Sequence, residues 1–164
     1  MSWQQVQAYW DSVGVDRKTL SLQESPGGDE FYRAMREVGL PDQKWWAFKF
    51  TRALLRSKDR VQFGKMWDGW NLWIHEKDGA FFFEDEEHRE RFGNSSFLAF
   101  NQFLVLFDQG YRTHEAANLG DSGEDWDKGA VMVQEMESQM RAADSRAFEN
   151  SELFWPKVIE DMEG

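Results

Sequence analysis

The chain has 164 residues, no cysteine and a formal net charge of −11 at pH 7. Because 41% of its residues are hydrophobic and 16% are aromatic, it can bury a sizeable core, which excludes a disordered protein. The lack of cysteine excludes disulfides, thiolate metal sites and a cysteine nucleophile. No apolar run approaches the ~20 residues of a membrane span and the N-terminus lacks the regions of a signal peptide, so we expect a cytoplasmic protein with no membrane partner.

Two amphipathic helices are predicted first. One begins at a capping box on Ser2 and ends at Gly14. The other begins near Asp29 and ends at Gly39 and Pro41, the usual order of helix-terminating residues. Apolar residues recur at helical spacing and predict the buried face of each helix. They are Trp3, Val6, Trp10 and Val13 in the first helix, and Phe31, Ala34, Met35 and Val38 in the second.

An antiparallel meander is predicted next. Alternation of Trp46, Phe48 and Phe50 with smaller or charged residues indicates its first strand, and three more strands are expected near residues 61–66, 70–76 and 79–84. Gly64 ends a short apolar run in the second of these strands. Asp78 and Gly79 form the pair that a tight hairpin turn requires, because both residues tolerate positive φ.

The last third of the chain predicts three helices. Asn94, Ser95 and Ser96 precede an apolar stripe that predicts a helix over residues 95–108, and we expect Ser95 or Ser96 to cap it. Residues 119–128 contain two glycines and four acids and are predicted to form an exposed loop. Two more helices follow, and the last of them is predicted to begin near Pro156. Their predicted buried faces are Met132, Val133, Met136 and Met140, and then Val158, Ile159 and Met162.

The order of these elements resembles the SUKH superfamily, most closely its fourth group, the bacterial immunity proteins of polymorphic toxin systems. In that group an early helix ends in a glycine-leucine-proline turn, here Gly39 to Pro41, and a later strand ends in an isoleucine-glycine pair, here Phe63-Gly64. An asparagine-serine-serine helix start corresponds to Asn94–Ser96, and a tail with an aspartate and then a tryptophan corresponds to Asp144 and Trp155. The chain departs from the pattern at Phe63 and in its many tryptophans at residues 67–73.

The resemblance implies a single SUKH-like α+β domain over residues 1–164, an antiparallel meander packed against several helices. It also implies an immunity protein that neutralises a cognate toxin by direct binding, the toxin being drawn from secreted nuclease or nucleic-acid deaminase domains. Such toxins handle nucleic acid and tend to be basic. The alternatives are an intracellular adaptor or regulatory module on the same fold, an acidic nucleic-acid mimic, or a carbohydrate-binding module with exposed tryptophans.

Motifs for catalysis, metals and cofactors are missing from the sequence. His75, His88 and His114 lack the spacing of metal ligands, and the acids of residues 121–127 lack the ordered spacing of a calcium loop. No glycine-rich phosphate loop, serine elbow or zinc-protease motif occurs. We therefore predict a protein that is not an enzyme and that has no metal and no cofactor. The sequence does not indicate its oligomeric state.

Charge is distributed unevenly, with a net charge of +1 on residues 1–78 and of −12 on residues 79–164. The two densest acidic segments, both predicted to be exposed, consist of Glu84, Asp85, Glu86 and Glu87, and of Asp121, Glu124, Asp125 and Asp127 around Trp126. Such segments either confer solubility or attract a basic partner. We predict that one or both segments bind the toxin, with Trp126 as an anchor, and that the hairpin carrying Trp67 and Trp70 is the alternative contact site. Direct binding to nucleic acid is not expected.

Overall fold

The computed structural model describes residues 1–20, 30–42, 48–66, 68–116 and 123–163. The helices in these ranges are α1 (Trp3–Ser12), α2 (Glu30–Glu37), α3 (Phe97–Ala116), α4 (Gly123–Ala143) and α5 (Phe154–Glu163), with a 3₁₀ turn at Ser145–Phe148 before α5. The strands are β1 (Arg17–Lys18), β2 (Leu40–Pro41), β3 (Phe48–Ser57), β4 (Arg60–Met66), β5 (Asn71–His75), β6 (Phe81–Glu84) and β7 (Glu90–Asn94). The predicted α+β class is confirmed.

Five strands form one antiparallel sheet in the order β3-β4-β5-β6-β7, and β1 pairs with β2 separately. The predicted meander is therefore confirmed, although it contains a fifth strand, β7, which the sequence analysis missed. β7 begins with charged residues and its register with β6 shifts between Phe81 and Phe82, so apolar alternation along it is weak. At Gly93 a side chain would overlap the ring of Phe81, which explains the glycine.

Local signals in the sequence correctly predicted several element boundaries. Ser2 caps α1 through the complete capping box, and the Ser96 hydroxyl accepts the Ala99 N–H at 3.1 Å at the start of α3. Gly39 has φ +73° and a Cβ there would overlap the Lys18 carbonyl, so only glycine suits this turn. Gly79 has φ +71° in the β5–β6 hairpin.

One face of the sheet forms the core with α2, α3 and α5. Phe63 from β4 lies with its ring 5.9 Å from that of Phe31 on α2 and 5.8 Å from that of Phe100 on α3. Phe154 on α5 stacks on Phe83 of β6 at 3.6 Å. Burial of each such ring contributes on the order of 2 kcal/mol. α1 and α4 pack against α3. The predicted inner faces of α1 and α2 are confirmed, since the buried side chains include Val6, Trp10, Phe31, Ala34, Met35 and Val38.

Two predictions about the C-terminal third are wrong and one is confirmed. Residues 123–128 belong to α4 instead of an exposed loop, because acids in a first turn are favourable beside the positive end of the helix dipole. The predicted start of the last helix near Pro156 is confirmed: α5 begins at Phe154, and Pro156 occupies its first turn, where a missing N–H breaks no helical hydrogen bond. Met162 is 39% exposed although it was predicted to be buried. Trp46 and residues 119–122 lie outside the described residues.

Candidate functional site

The first acidic segment is only half exposed. Glu84 and Asp85 have 4% and 5% of their surface accessible, so the prediction that they are exposed is wrong. The Glu84 carboxylate accepts hydrogen bonds from Arg60 at 2.8 Å and from Asn71 at 3.1 Å, because β4 and β5 place these side chains beside the end of β6. Burial opposes ionisation of Glu84, but hydrogen bonds from Asn71 and His88 and the charge of Arg60 outweigh it and hold the pKa of Glu84 below its usual range.

Asp85 shapes the turn between β6 and β7. Its Oδ1 accepts the main-chain N–H groups of Glu87 and Arg89, each at 3.0 Å, and its Oδ2 accepts the Arg89 guanidinium at 3.0 Å. Glu86 and Glu87 at the tip of this turn are exposed. Glu84 and Asp85 therefore hold the turn in place, and Glu86 and Glu87 are the acids that it presents to solvent.

The second acidic segment lies on a different element. Glu124, Asp125, Trp126 and Asp127 are in the first turns of α4, while Asp121 lies outside the described residues. Of the predicted alternative contact site, Trp67 also lies outside them, and Trp70 is partly buried against the core with the Arg91 guanidinium 5.1 Å from its ring centre. The structure thus places the two acidic segments separately, in the β6–β7 turn and at the start of α4.

The motif residues of the C-terminal half meet in a buried polar cluster. Asp144, which follows α4, accepts hydrogen bonds from Asn94 Nδ2 at 3.3 Å and from the main-chain N–H and hydroxyl of Ser95 at 2.6 and 2.7 Å. Trp155 Nε1 donates to Asn94 Oδ1 at 2.9 Å. Since Asn94, Asp144 and Trp155 are buried and each of these groups is paired, the cluster joins β7, α3 and α5 and has a structural role.

On the sheet face opposite the core lies an aromatic and charged cluster that sequence reasoning missed. The Arg60 guanidinium lies 4.1 Å from the ring centre of Trp73 and also pairs with Glu84 and Glu90. His75 stacks on Phe82 at 4.3 Å. The alternation along β5 contained the signal, because Leu72 and Ile74 point into the core and so Trp73 must point away from it.

The described residues line two grooves on the surface. A groove of about 830 Å³ with three lysines in its lining runs along β3 and β4, where Lys49 of β3 lies directly opposite Lys65 of β4, beside Lys18 and Asp42. An apolar groove of about 290 Å³ lies between the C-terminal half of α3, α4 and α5. The apolar groove was not predicted because its methionines occur at helical spacing, which predicts a fully buried face. The groove is lined by Gly110, Tyr111, Gly129, Met132, Val133, Met136 and Met162.

Within the described ranges, no group of three or more histidine, aspartate or glutamate side chains is arranged to hold a metal ion. Among the helices of the same ranges, none combines the length and the apolar character needed to cross a bilayer.

Comparison with curated proteins and with solved structures found no match. The model of the SUKH-4 immunity protein family matches residues 27–161. This match includes the Gly39 turn, the helix start at Asn94–Ser96 and the residues Asp144 and Trp155 that bind it. It covers most of the chain, and the chain therefore belongs to the SUKH-4 immunity protein family.

Proposed function

We propose that this protein neutralises a cognate toxin domain by binding it directly, and that the toxin is a basic nuclease or nucleic-acid deaminase. The observation that carries the proposal is membership of the SUKH-4 immunity protein family over residues 27–161. The charge of −11 supports a basic partner, because a field of one sign attracts and orients a partner of the opposite sign. In this proposal the protein acts in the cytoplasm as a binder and not as an enzyme.

The β6–β7 turn is one proposed contact. Its tip presents Glu86 and Glu87, and the hydrogen bonds of Asp85 to the main chain hold the turn in one shape before the partner arrives. A preformed charged turn binds without an ordering cost for its backbone. Glu84 stays outside the contact in this proposal, because its charge is already paired with Arg60.

The start of α4 is the second proposed contact. Glu124, Asp125 and Asp127 occupy its first turns, and Trp126 lies among them. Tryptophan is enriched among the few interface residues that carry most of the binding energy. We assign attraction of the toxin to the acids and retention of the bound toxin to Trp126.

Binding kinetics with the purified toxin domain encoded by the neighbouring gene test this proposal. Glu86→Lys combined with Glu87→Lys is expected to lower the association rate several-fold, and the effect should shrink as salt approaches 1 M, where the screening length is about 3 Å. Trp126→Ala is expected mainly to raise the dissociation rate.

A matched control separates contact from net charge. Glu37→Lys combined with Glu149→Lys changes the net charge equally at two exposed positions on other parts of the surface. If this control slows association as much as the turn variant does, net charge alone attracts the toxin and the turn is not a contact. A parent protein that binds no toxin domain and binds glycans instead would reject the proposed function.

A further inference from the structure

The groove between α3, α4 and α5 can be assigned a specific occupant. We infer that it receives an apolar side chain from a basic segment of the toxin, an inference that rests on the proposed function. The observations that carry it are empty space beside a helix glycine, exposed apolar walls, and acids on the elements that border the groove.

The groove has a buried floor and exposed walls. Met136 and Val133 on α4 form the floor and are 5% and 9% exposed, whereas Tyr111 on α3 and Met162 on α5 are 52% and 39% exposed. Its volume of about 290 Å³ is at the small end of the range for ligand pockets, roughly 300 Å³, so it accommodates one or two side chains. Methionine is flexible and polarisable, and methionine-rich surfaces adapt to different apolar partners.

Glycines keep this space open. A Cβ added to Gly129 of α4 would meet no atom within 4 Å, and one added to Gly110 of α3 would lie 3.2 Å from the Met136 sulfur. Glycine inside a helix lowers the stability of the helix relative to alanine. At Gly129 no neighbouring atom requires a glycine, so folding alone does not account for it. Room for an incoming side chain accounts for this glycine.

Exposed apolar side chains concentrate here. Among the described residues the exposed large hydrophobic side chains are Met1, Leu55, Tyr111, Val131 and Met162. Tyr111 and Met162 line the groove, and Val131 lies on α4, which contributes other residues to it. Apolar groups clustered on a soluble surface mark interaction sites more often than scattered ones do. A partner that buries Tyr111 and Met162 would remove this apolar surface from water.

The charges on the bordering elements favour a basic occupant. Three acids, Glu124, Asp125 and Asp127, precede Gly129 on α4 against one lysine, Lys128. On α5, Glu160 is already paired with Lys157 at 3.4 Å. Arg112, which follows Tyr111 on α3, is already paired with Asp108 at 2.6 Å. An apolar anchor flanked by lysines or arginines therefore complements the groove, and an acidic segment would be repelled.

Substitutions at Gly129 test the inference with little risk to the fold. Gly129→Leu fills the groove and is expected to weaken toxin affinity roughly 10- to 100-fold, the loss that follows when one buried apolar anchor no longer docks. Gly129→Ala is the matched control. It raises helix propensity at least as much as Gly129→Leu does but leaves most of the groove open, so the affinity for the toxin should stay within about twofold of the parent.

A second pair covers the case in which Gly129→Leu lowers the melting temperature. Tyr111→Ser removes one exposed wall and should weaken binding, whereas Val131→Ser removes an equally exposed apolar side chain of α4 that does not line the groove and should not. Dissociation rates report the loss, since most interface substitutions act there.

The outcomes separate this inference from the function on which it rests. Parent-like toxin kinetics in both Gly129→Leu and Tyr111→Ser, with the toxin still neutralised, would overturn the groove assignment and leave the proposed function intact. If the parent protein does not bind the toxin, both the groove assignment and the proposed function are rejected. If Gly129→Leu converts a dimer of the free protein into a monomer without changing toxin kinetics, the groove binds a second copy and the assignment to the toxin is overturned.

Discussion

At the scale of single residues, the asparagine-serine-serine motif has two separate structural roles. Ser96 caps α3 through its hydroxyl, which satisfies one N–H at the helix start. Asn94 and Ser95 instead bind Asp144, which lies about fifty residues further along the chain. The motif therefore starts one helix and also fixes the position of the segment that follows α4.

We expect these two roles to differ in energy. Asp144→Ala leaves Asn94 Nδ2 and both donors of Ser95 without their acceptor in a buried site and should lower the free energy of unfolding by about 3 kcal/mol. Ser96→Ala removes only the cap and should cost about 1 kcal/mol. Ser145→Ala, at an exposed neighbour, should change stability by less than about 0.5 kcal/mol. Urea unfolding measures all three, and equal losses in Asp144→Ala and Ser96→Ala would contradict the assignment.

At the scale of elements, β3 and β4 carry an unfavourable pair. Lys49 and Lys65 are direct cross-strand partners and both side chains are exposed on the same face. Like charges in this arrangement are destabilising. The two strands are held together by their backbone ladder and by core residues such as Phe48 and Met66, which are also partners.

Relieving this repulsion should stabilise the protein. Lys65→Glu creates an opposite-charge pair with Lys49 and should raise the free energy of unfolding by roughly 0.5–1 kcal/mol at low salt. The control Lys77→Glu makes the same change in net charge at an exposed turn position. Thermal unfolding at low and high salt gives the comparison. A gain that is equal in the two variants, or that persists at 1 M salt, would show that the cross-strand pair is not its source.

At the scale of the whole molecule, both ends of the chain contribute to one core. Val6 and Trp10 near the N-terminus belong to the same cluster of buried side chains as Trp155 and Ile159 near the C-terminus. Tyr9 on α1 also donates a hydrogen bond to Asp108 on α3 at 2.7 Å. Elements that share a core in this way lose their stabilising contacts together.

We therefore propose that residues 1–164 unfold as one cooperative domain. Urea transitions followed by far-ultraviolet circular dichroism and by tryptophan fluorescence should coincide, as they do for two-state unfolding. Because Phe154 and Trp155 fill the space beside Phe83, deleting α5 should destabilise the entire chain and not only its end. Two separated transitions in the parent would reject the single domain.

Much of the fold could be predicted from the sequence, because its strongest signals are local. The capping box at Ser2, the glycine turn at Gly39 and the helical spacing of Phe31, Ala34 and Met35 depend on residues within one or two turns of each other. β7 was missed because its charged start and shifted register weaken the apolar alternation that indicates a strand. The start of α4 was missed because glycines and acids typical of loops also occur in a first helical turn.

The candidate sites depended on distant parts of the chain. By itself, the sequence determined the α+β class, the meander, a cap on Ser95 or Ser96 and the resemblance to the family, since each follows from spacing along the chain. Only the tertiary structure decided that Glu84 is buried, because Arg60 and Asn71 reach it from other strands. It also decided that Met162 and Tyr111 line an open groove, because a periodic apolar stripe shows which face of a helix turns inward but not whether its neighbours fill the space.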